Sequence, residues 1–214
     1  MRGRKKSEQM RLTILRAAAE VFSQRPFHQV LTDHLSTHLR MGKGTLYRYF
    51  ASKEELYFAA IVHGLEGLRG AIDAVLRKNA PLDRAIETLA RTIISYFWER
   101  RDFFVLLHRH EPKLDPGERA EWQRRREELV ALVAERLARE VPRNRASAIN
   151  PRLAAEMLLG MIRAVCLYRD ESDRVDALAQ LVTTVFLSGV RPVRALSAPR
   201  RPANARRTKA ARTG

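Results

Sequence analysis

Apolar residues recur along this chain at helical intervals, and the first group to do so, Ile14, Ala18, Val21 and Phe22, lines one face of an amphipathic helix. Pro26 ends that helix. Thr32 is placed to cap a short second helix through its hydroxyl, with Leu35 and Leu39 on the inner side and His34 and His38 on the other. A tight turn is expected at Arg40 to Gly42. A third helix opens near Lys43, where Leu46 and Phe50 lie four apart and lock it to the first two. Ser52-x-x-Glu55 is a capping box and starts a fourth helix directly afterwards. Helices and a turn at this spacing form a helix-turn-helix, a plan that aims the start of the third helix at a major groove.

Downstream the pattern stays helical, with breaks at Asn79-Ala80-Pro81, Pro112 to Gly117, Pro142 to Pro151 and around Asp170 to Asp173. The implied helices are about Ser52 to Lys78, Leu82 to Arg101, Asp102 to Glu111, Gly117 to Val141, Pro151 to Arg169 and Ser172 to Gly189. No strand pattern appears, so the fold class is all-α: a three-helix DNA-binding head followed by a helical-bundle body. The last two helices are too apolar for burial on one side only. Leu153 to Leu167 carries only Glu156 and Arg163 as charges, and Val175, Leu178, Leu181, Val182, Val185 and Phe186 cover more than one face of the next helix. One side can face the body's core and the other a two-fold partner, with Leu158 and Val182 as candidate interface positions.

Charge narrows the partner. Lys and Arg number 40 against 24 Asp and Glu, a formal net charge of +16 that favours a polyanion, and nucleic acid before membrane. Arg2, Arg4, Lys5, Lys6 and Arg11 cluster at the start, and residues 191–214 hold Arg191, Arg194, Arg200, Arg201, Arg206, Arg207, Lys209 and Arg212 with no acid. The Pro, Ala and Arg content of that tail predicts disorder and leaves open an extra DNA arm. No apolar signal core follows Met1, so a cytoplasmic, nucleoid-associated protein is expected. The single Cys166 has no internal disulfide partner, and its apolar surroundings predict a structural thiol.

Between Gly42 and Phe50 the chain packs two phenolic hydroxyls, two cations and the side-chain-free Gly44 into about two helical turns, groups suited to phosphates and base edges. Ile14-Leu15-x-Ala17-Ala18-x-x-Val21-Phe22, Phe27, Thr32, Leu35, Lys43-Gly44-Thr45-Leu46-Tyr47-Arg48-Tyr49-Phe50 and Ser52-Lys53-Glu54-x-Leu56 together resemble the DNA-binding domain of tetracycline-repressor (TetR) type regulators. The resemblance covers about residues 8–68, followed by a regulatory and dimerisation domain at 69–190 and the basic tail. It implies that Thr32, Lys43, Gly44, Thr45, Tyr47, Tyr49 and Lys53 face DNA, mostly its phosphates, and the cation Arg48 beside them is a further candidate contact. Leu39-Arg40-Met41-Gly42 departs from the usual Ala-Gly-Val-Ser of the family, which puts Arg40 where a left-handed Gly is normal, at a cost of about 1 kcal/mol. Gly42 is expected to take up part of that strain by loosening the turn, and it replaces the usual Ser cap of the third helix.

Tyr96, Phe97, Phe103, Phe104, His108 and Trp122 gather where the fifth to seventh helices should meet, and the resemblance implies a pocket there for a small, partly apolar effector. His108 and His110, two apart on a helix, point to different faces and make a poor metal pair, so no metal or cofactor is assigned. Gly-rich phosphate loops, HExxH, Cys clusters and Gly-x-Ser-x-Gly elbows are absent from the sequence, which speaks against an enzyme. The expectation is a homodimeric regulator, released by its effector from a palindromic operator in double-stranded DNA. The competing expectation is a basic architectural protein that binds DNA with little sequence preference.

Overall fold

A computed structural model describes residues 2–109, 114–139, 150–170 and 172–190. The tail 191–214, His110 and the Pro142 segment lie outside the described residues. The chain is helical, in the order α1 (Arg2–Gln24), α2 (Thr32–His38), α3 (Lys43–Tyr47), α4 (Lys53–Leu76), α5 (Leu82–Glu99), α6 (Arg101–His108), α7 (Pro116–Ala138), α8 (Pro151–Tyr168) and α9 (Val175–Val190), with one 3-10 turn at Phe27–Gln29 after Pro26. Among the described residues there is no strand, and no helix is long and apolar enough to cross a membrane.

Local chemistry fixes several helix starts. Ser52 accepts from the Glu55 N–H at 3.0 Å and opens α4 at the predicted cap, whereas the Glu55 carboxylate takes the N–H of Ala51 instead of that of Ser52, so the box closes one residue early. Asp115 and Glu118 cap α7 reciprocally with Pro116 in the first turn, and Asn150 caps α8 ahead of Pro151. The second helix behaves otherwise. Its cap is Leu31, whose N–H donates to His34 Nδ1 at 3.2 Å, and Thr32 is already helical with its hydroxyl turned outward to Tyr47 at 3.0 Å.

The turn between α2 and α3 closes by two backbone bonds, Arg40 N–H to Thr37 O and Met41 N–H to Ser36 O, the Schellman pattern that calls for a left-handed residue at Arg40. Arg40 is at φ 50, the one side-chain-bearing residue with positive φ among the described residues. Gly42 takes none of the strain, since it sits at φ −65 and ψ 144, ordinary extended backbone.

Ile14, Leu15, Ala18, Phe22, Leu35, Leu46 and Phe50 form the centre of the head, and Leu56 and Tyr57 of α4 join them to the body's core without a gap. α4 runs unbroken through Leu68, where the sequence places a domain division, so head and body share one helix. In the body α5 packs on α4, α8 and α9, while α7 packs between α4 and α8. Leu158 and Val182 both point into this core, at 0% and 1% exposure, which corrects their assignment as interface positions. The apolar residues left open on the last two helices are Leu153, Met157, Leu167 and Tyr168 of α8 and Leu181 and Val185 of α9.

Candidate functional site

The outer surface of α3 carries side chains that the fold does not use. Arg48 is exposed and has no ion-pair or hydrogen-bond partner among the described residues, and Lys43 meets only the exposed Asp33, at 2.6 Å. An exposed pair of this kind contributes little, so Lys43 can exchange its carboxylate for a phosphate at small cost. Tyr47 is 45% exposed, an unusual position for an aromatic ring, with its hydroxyl held by Thr32. Thr45 is half-buried beside it.

Gly44 is informative for a packing reason. A Cβ built there meets nothing within 4 Å, so no neighbour in the protein requires the absence of a side chain. Gly in a helix costs about 1 kcal/mol relative to Ala, and a position that keeps it without internal need suits close approach by another molecule. Leu46 and Phe50, both buried, hold this face outward, and the Arg11 guanidinium covers the Phe50 ring at 5.0 Å.

Two of the residues grouped with these by sequence are placed differently. Tyr49 is half-buried against the head's core. The Lys53 ammonium turns inward, donating to Phe27 O at 3.1 Å and Val30 O at 3.0 Å and lying 4.2 Å from the centre of the Phe27 ring. It fastens the 3-10 turn to the start of α4.

The predicted aromatic group does assemble, but its rings face one another. Phe97 meets Phe103 at 6.0 Å and Phe104 at 4.9 Å, and Phe104 meets His108 at 4.2 Å, so Phe97, Phe104 and His108 fill space with each other. Trp122 packs against the core from α7, and the other tryptophan, Trp98, lies under the Arg169 guanidinium at 3.4 Å. The open space is elsewhere: a cleft of about 970 Å³ between α1 and α4 to α6, walled in part by Arg16, His63, Tyr96, Arg100 and Phe103. Only Tyr96 and Phe103 of the predicted aromatics reach it. Two glycines of α4 let the cleft's aromatic residues approach the helix closely: a Cβ on Gly64 would strike the Phe103 ring at 2.1 Å, and one on Gly67 would meet the Tyr96 hydroxyl at 2.4 Å. Tyr96 uses that proximity to donate to Gly64 O at 2.8 Å.

Burial and the guanidinium of Arg16 hold His63 below the usual histidine range, with Arg11 and Arg100 adding to the effect and Glu66 opposing it. Burial likewise pushes the Cys166 thiol up to about 11, which keeps it protonated and poorly nucleophilic. No group of three or more His, Cys, Asp or Glu suited to a metal ion occurs among the described residues.

A helix-turn-helix head on an all-helical body, joined by a shared helix, defines a class of DNA-binding regulators. Comparison with known proteins makes this specific. Residues 14–60 match the model for bacterial regulatory proteins of the tetR family, and residues 79–190 match the tetracyclin repressor-like C-terminal domain. The chain belongs to the tetR family. It is 29% identical over 102 residues to the HTH-type transcriptional repressor NicS of Pseudomonas putida, covering 47% of this chain and 48% of NicS, about half the length of that curated relative. Among solved structures it is similar to the TetR family regulator PfmR from Thermus thermophilus, with 24% identity, 82% of this chain and 97% of that one covered, and a TM-score of 0.72. It is also similar to AibR in complex with isovaleryl coenzyme A and operator DNA, with 19% identity, 82% and 97% covered, and a TM-score of 0.71. At these identities the two structures establish the fold.

Proposed function

We propose that this protein is a sequence-specific DNA-binding regulator of transcription that works in the cytoplasm, on the nucleoid, as a homodimer. It represses by occupying a palindromic operator, and a small-molecule effector releases it. The observation that carries the reading is the α3 surface, where Lys43, Gly44, Tyr47 and Arg48 are exposed and serve no internal contact beyond two weak surface pairs. In this reading Lys43, Arg48 and the Thr32 and Tyr47 hydroxyls take phosphates, and the backbone at Gly44 and the Thr45 side chain come nearest the base edges. Tyr49 and Lys53 act mainly by holding that surface in place. Dimerisation uses the open apolar faces of α8 and α9, which would complete a four-helix interface across a two-fold axis. The effector is partly apolar; acyl thioesters of coenzyme A, the class present in the similar AibR complex, are the first to test.

Lys43→Ala and Tyr47→Phe should each weaken operator binding in a fluorescence anisotropy titration while helical content and dimer mass stay unchanged. The Lys43 variant should also lower the slope of log K against log salt by roughly 1, as removal of one phosphate contact requires. Wild-type operator affinity in both variants would remove α3 as the reader. Discrimination of one palindrome over random DNA at fixed salt separates this reading from the architectural one, which family membership does not favour.

A further inference from the structure

The groups lining the α1 to α6 cleft are not equally committed. Of its carboxylates, Glu20 holds His38 at 2.8 Å, Asp102 accepts from the Ser23 hydroxyl at 2.5 Å, and Glu99 pairs with Arg100 at 3.1 Å. Arg91 is taken by Glu87 at 2.8 Å and Asp176 at 2.5 Å. Arg16 and His63 remain: both line the cleft, and neither has a hydrogen-bond or ion-pair partner among the described residues. The cleft's aromatic surface comes from Tyr96 and Phe103, seated on the glycines of α4, with the Arg100 guanidinium 4.3 Å from the centre of the Tyr96 ring. A cleft of about 970 Å³ whose lining combines unanswered cationic capacity with two aromatic rings suits an amphiphile with a negative head.

We propose that this cleft binds an organic anion, its charged head held between Arg16 and His63 and its apolar part laid against Tyr96 and Phe103. The inference rests on the effector-responsive reading above and names the site and the chemical class of that effector. It places the ligand against α1 of the head on one side and against the body on the other, a different location from the closed aromatic group of Phe97, Phe104 and His108. A fatty carboxylate and an acyl thioester of coenzyme A both present the required chemistry, the first through its carboxylate and the second through its phosphates.

The site has a pH signature. The charged groups acting on His63 are Arg11 and Arg16 from α1, Glu66 from α4 and Arg100 at the end of α5, and the balance keeps the free imidazole neutral near pH 7. A bound anion reverses that balance and favours the imidazolium, so binding takes up a proton. Affinity should therefore rise as pH falls through neutrality toward the lowered pKa of the free imidazole.

Isothermal titration of the full chain, without DNA, against octanoate, octanoyl-coenzyme A, coenzyme A and 1-octanol tests this. Octanoate or octanoyl-coenzyme A should bind about tenfold or more tightly than 1-octanol, consistent with a charge-assisted contact. Whichever of the two binds identifies carboxylate or phosphate as the head. Arg16→Ala and His63→Gln should each cut that affinity about tenfold with helical content retained, and His63→Gln should flatten the pH dependence. Equal binding of 1-octanol, no binding by any of the anions, or wild-type affinity in both variants would overturn the proposal. Because the titration contains no DNA, its failure is distinguishable from failure of the operator reading, which the anisotropy experiment decides alone.

Discussion

Arg40 holds a left-handed backbone that its side chain disfavours, and the two Schellman hydrogen bonds around it show what enforces the conformation. The strain is local to the turn that sets the angle of α3. Replacing Arg40 with Gly removes a penalty of about 1–2 kcal/mol and adds back part of it as backbone entropy, for a net gain of about 0.5–1 kcal/mol. Thermal unfolding of Arg40→Gly should accordingly shift upward by about 2–3 °C, and Arg40→Val should shift downward. The departure from Gly and its consequence for Arg40 were legible through the family resemblance, which places a left-handed Gly at that turn, and the structure finds Arg40 at φ 50. Thr32 was not, because a hydroxyl near a helix start has two partners within reach, and the outward phenol of Tyr47 won over the backbone of α2. Lys53 shows the same limit: charge can be read from sequence, but the two carbonyls that claim its ammonium come from a turn 23 to 26 residues earlier.

At the scale of helices, what sequence conveys is the period, and what it conveys least well is the phase. Both α8 and α9 were visible as over-apolar segments, yet successive residues on a helix are about 100° apart, so an error of one position exchanges core for surface. Leu158 and Val182 lie inside, whereas Met157 and Leu181, one residue earlier in each case, are 54% and 53% exposed. Met157→Glu and Leu181→Glu should therefore give folded monomers by light scattering at micromolar concentration with unchanged circular dichroism. Leu158→Glu should instead lose helical signal, because its charge would be buried without a partner. The cleft escaped sequence reading for a related reason: its walls come from α1 and from α4 to α6, and no spacing along one helix reports their meeting. The glycines Gly64 and Gly67, three apart on α4, were the available signal, since close approach by Phe103 and Tyr96 is what their missing side chains permit. The aromatic group, by contrast, was legible as a cluster, though composition alone does not say whether rings enclose a space or fill it.

The whole molecule carries a formal net charge of +16, of which the eight cations of residues 191–214 are a separable part. Deleting those residues should weaken operator and random DNA by similar factors and reduce the salt slope while leaving the preferred sequence and the dimer intact, as electrophoretic mobility shifts across a salt series would report. Random DNA bound as tightly as before at low salt would show that this segment adds nothing to the interface. The remaining charge includes Arg4, Lys5 and Lys6 on the exposed first turns of α1. A surface of this kind makes the chromosome itself a reservoir. With about 10⁶ or more competing sites, the proposed dimer, on leaving its operator, would pass to neighbouring DNA rather than into free solution. Under the proposed function, effector would then relocate the protein along the duplex, and re-silencing after the effector disappears would be timed by sliding and hopping over short stretches of DNA instead of by a fresh search through the cell volume.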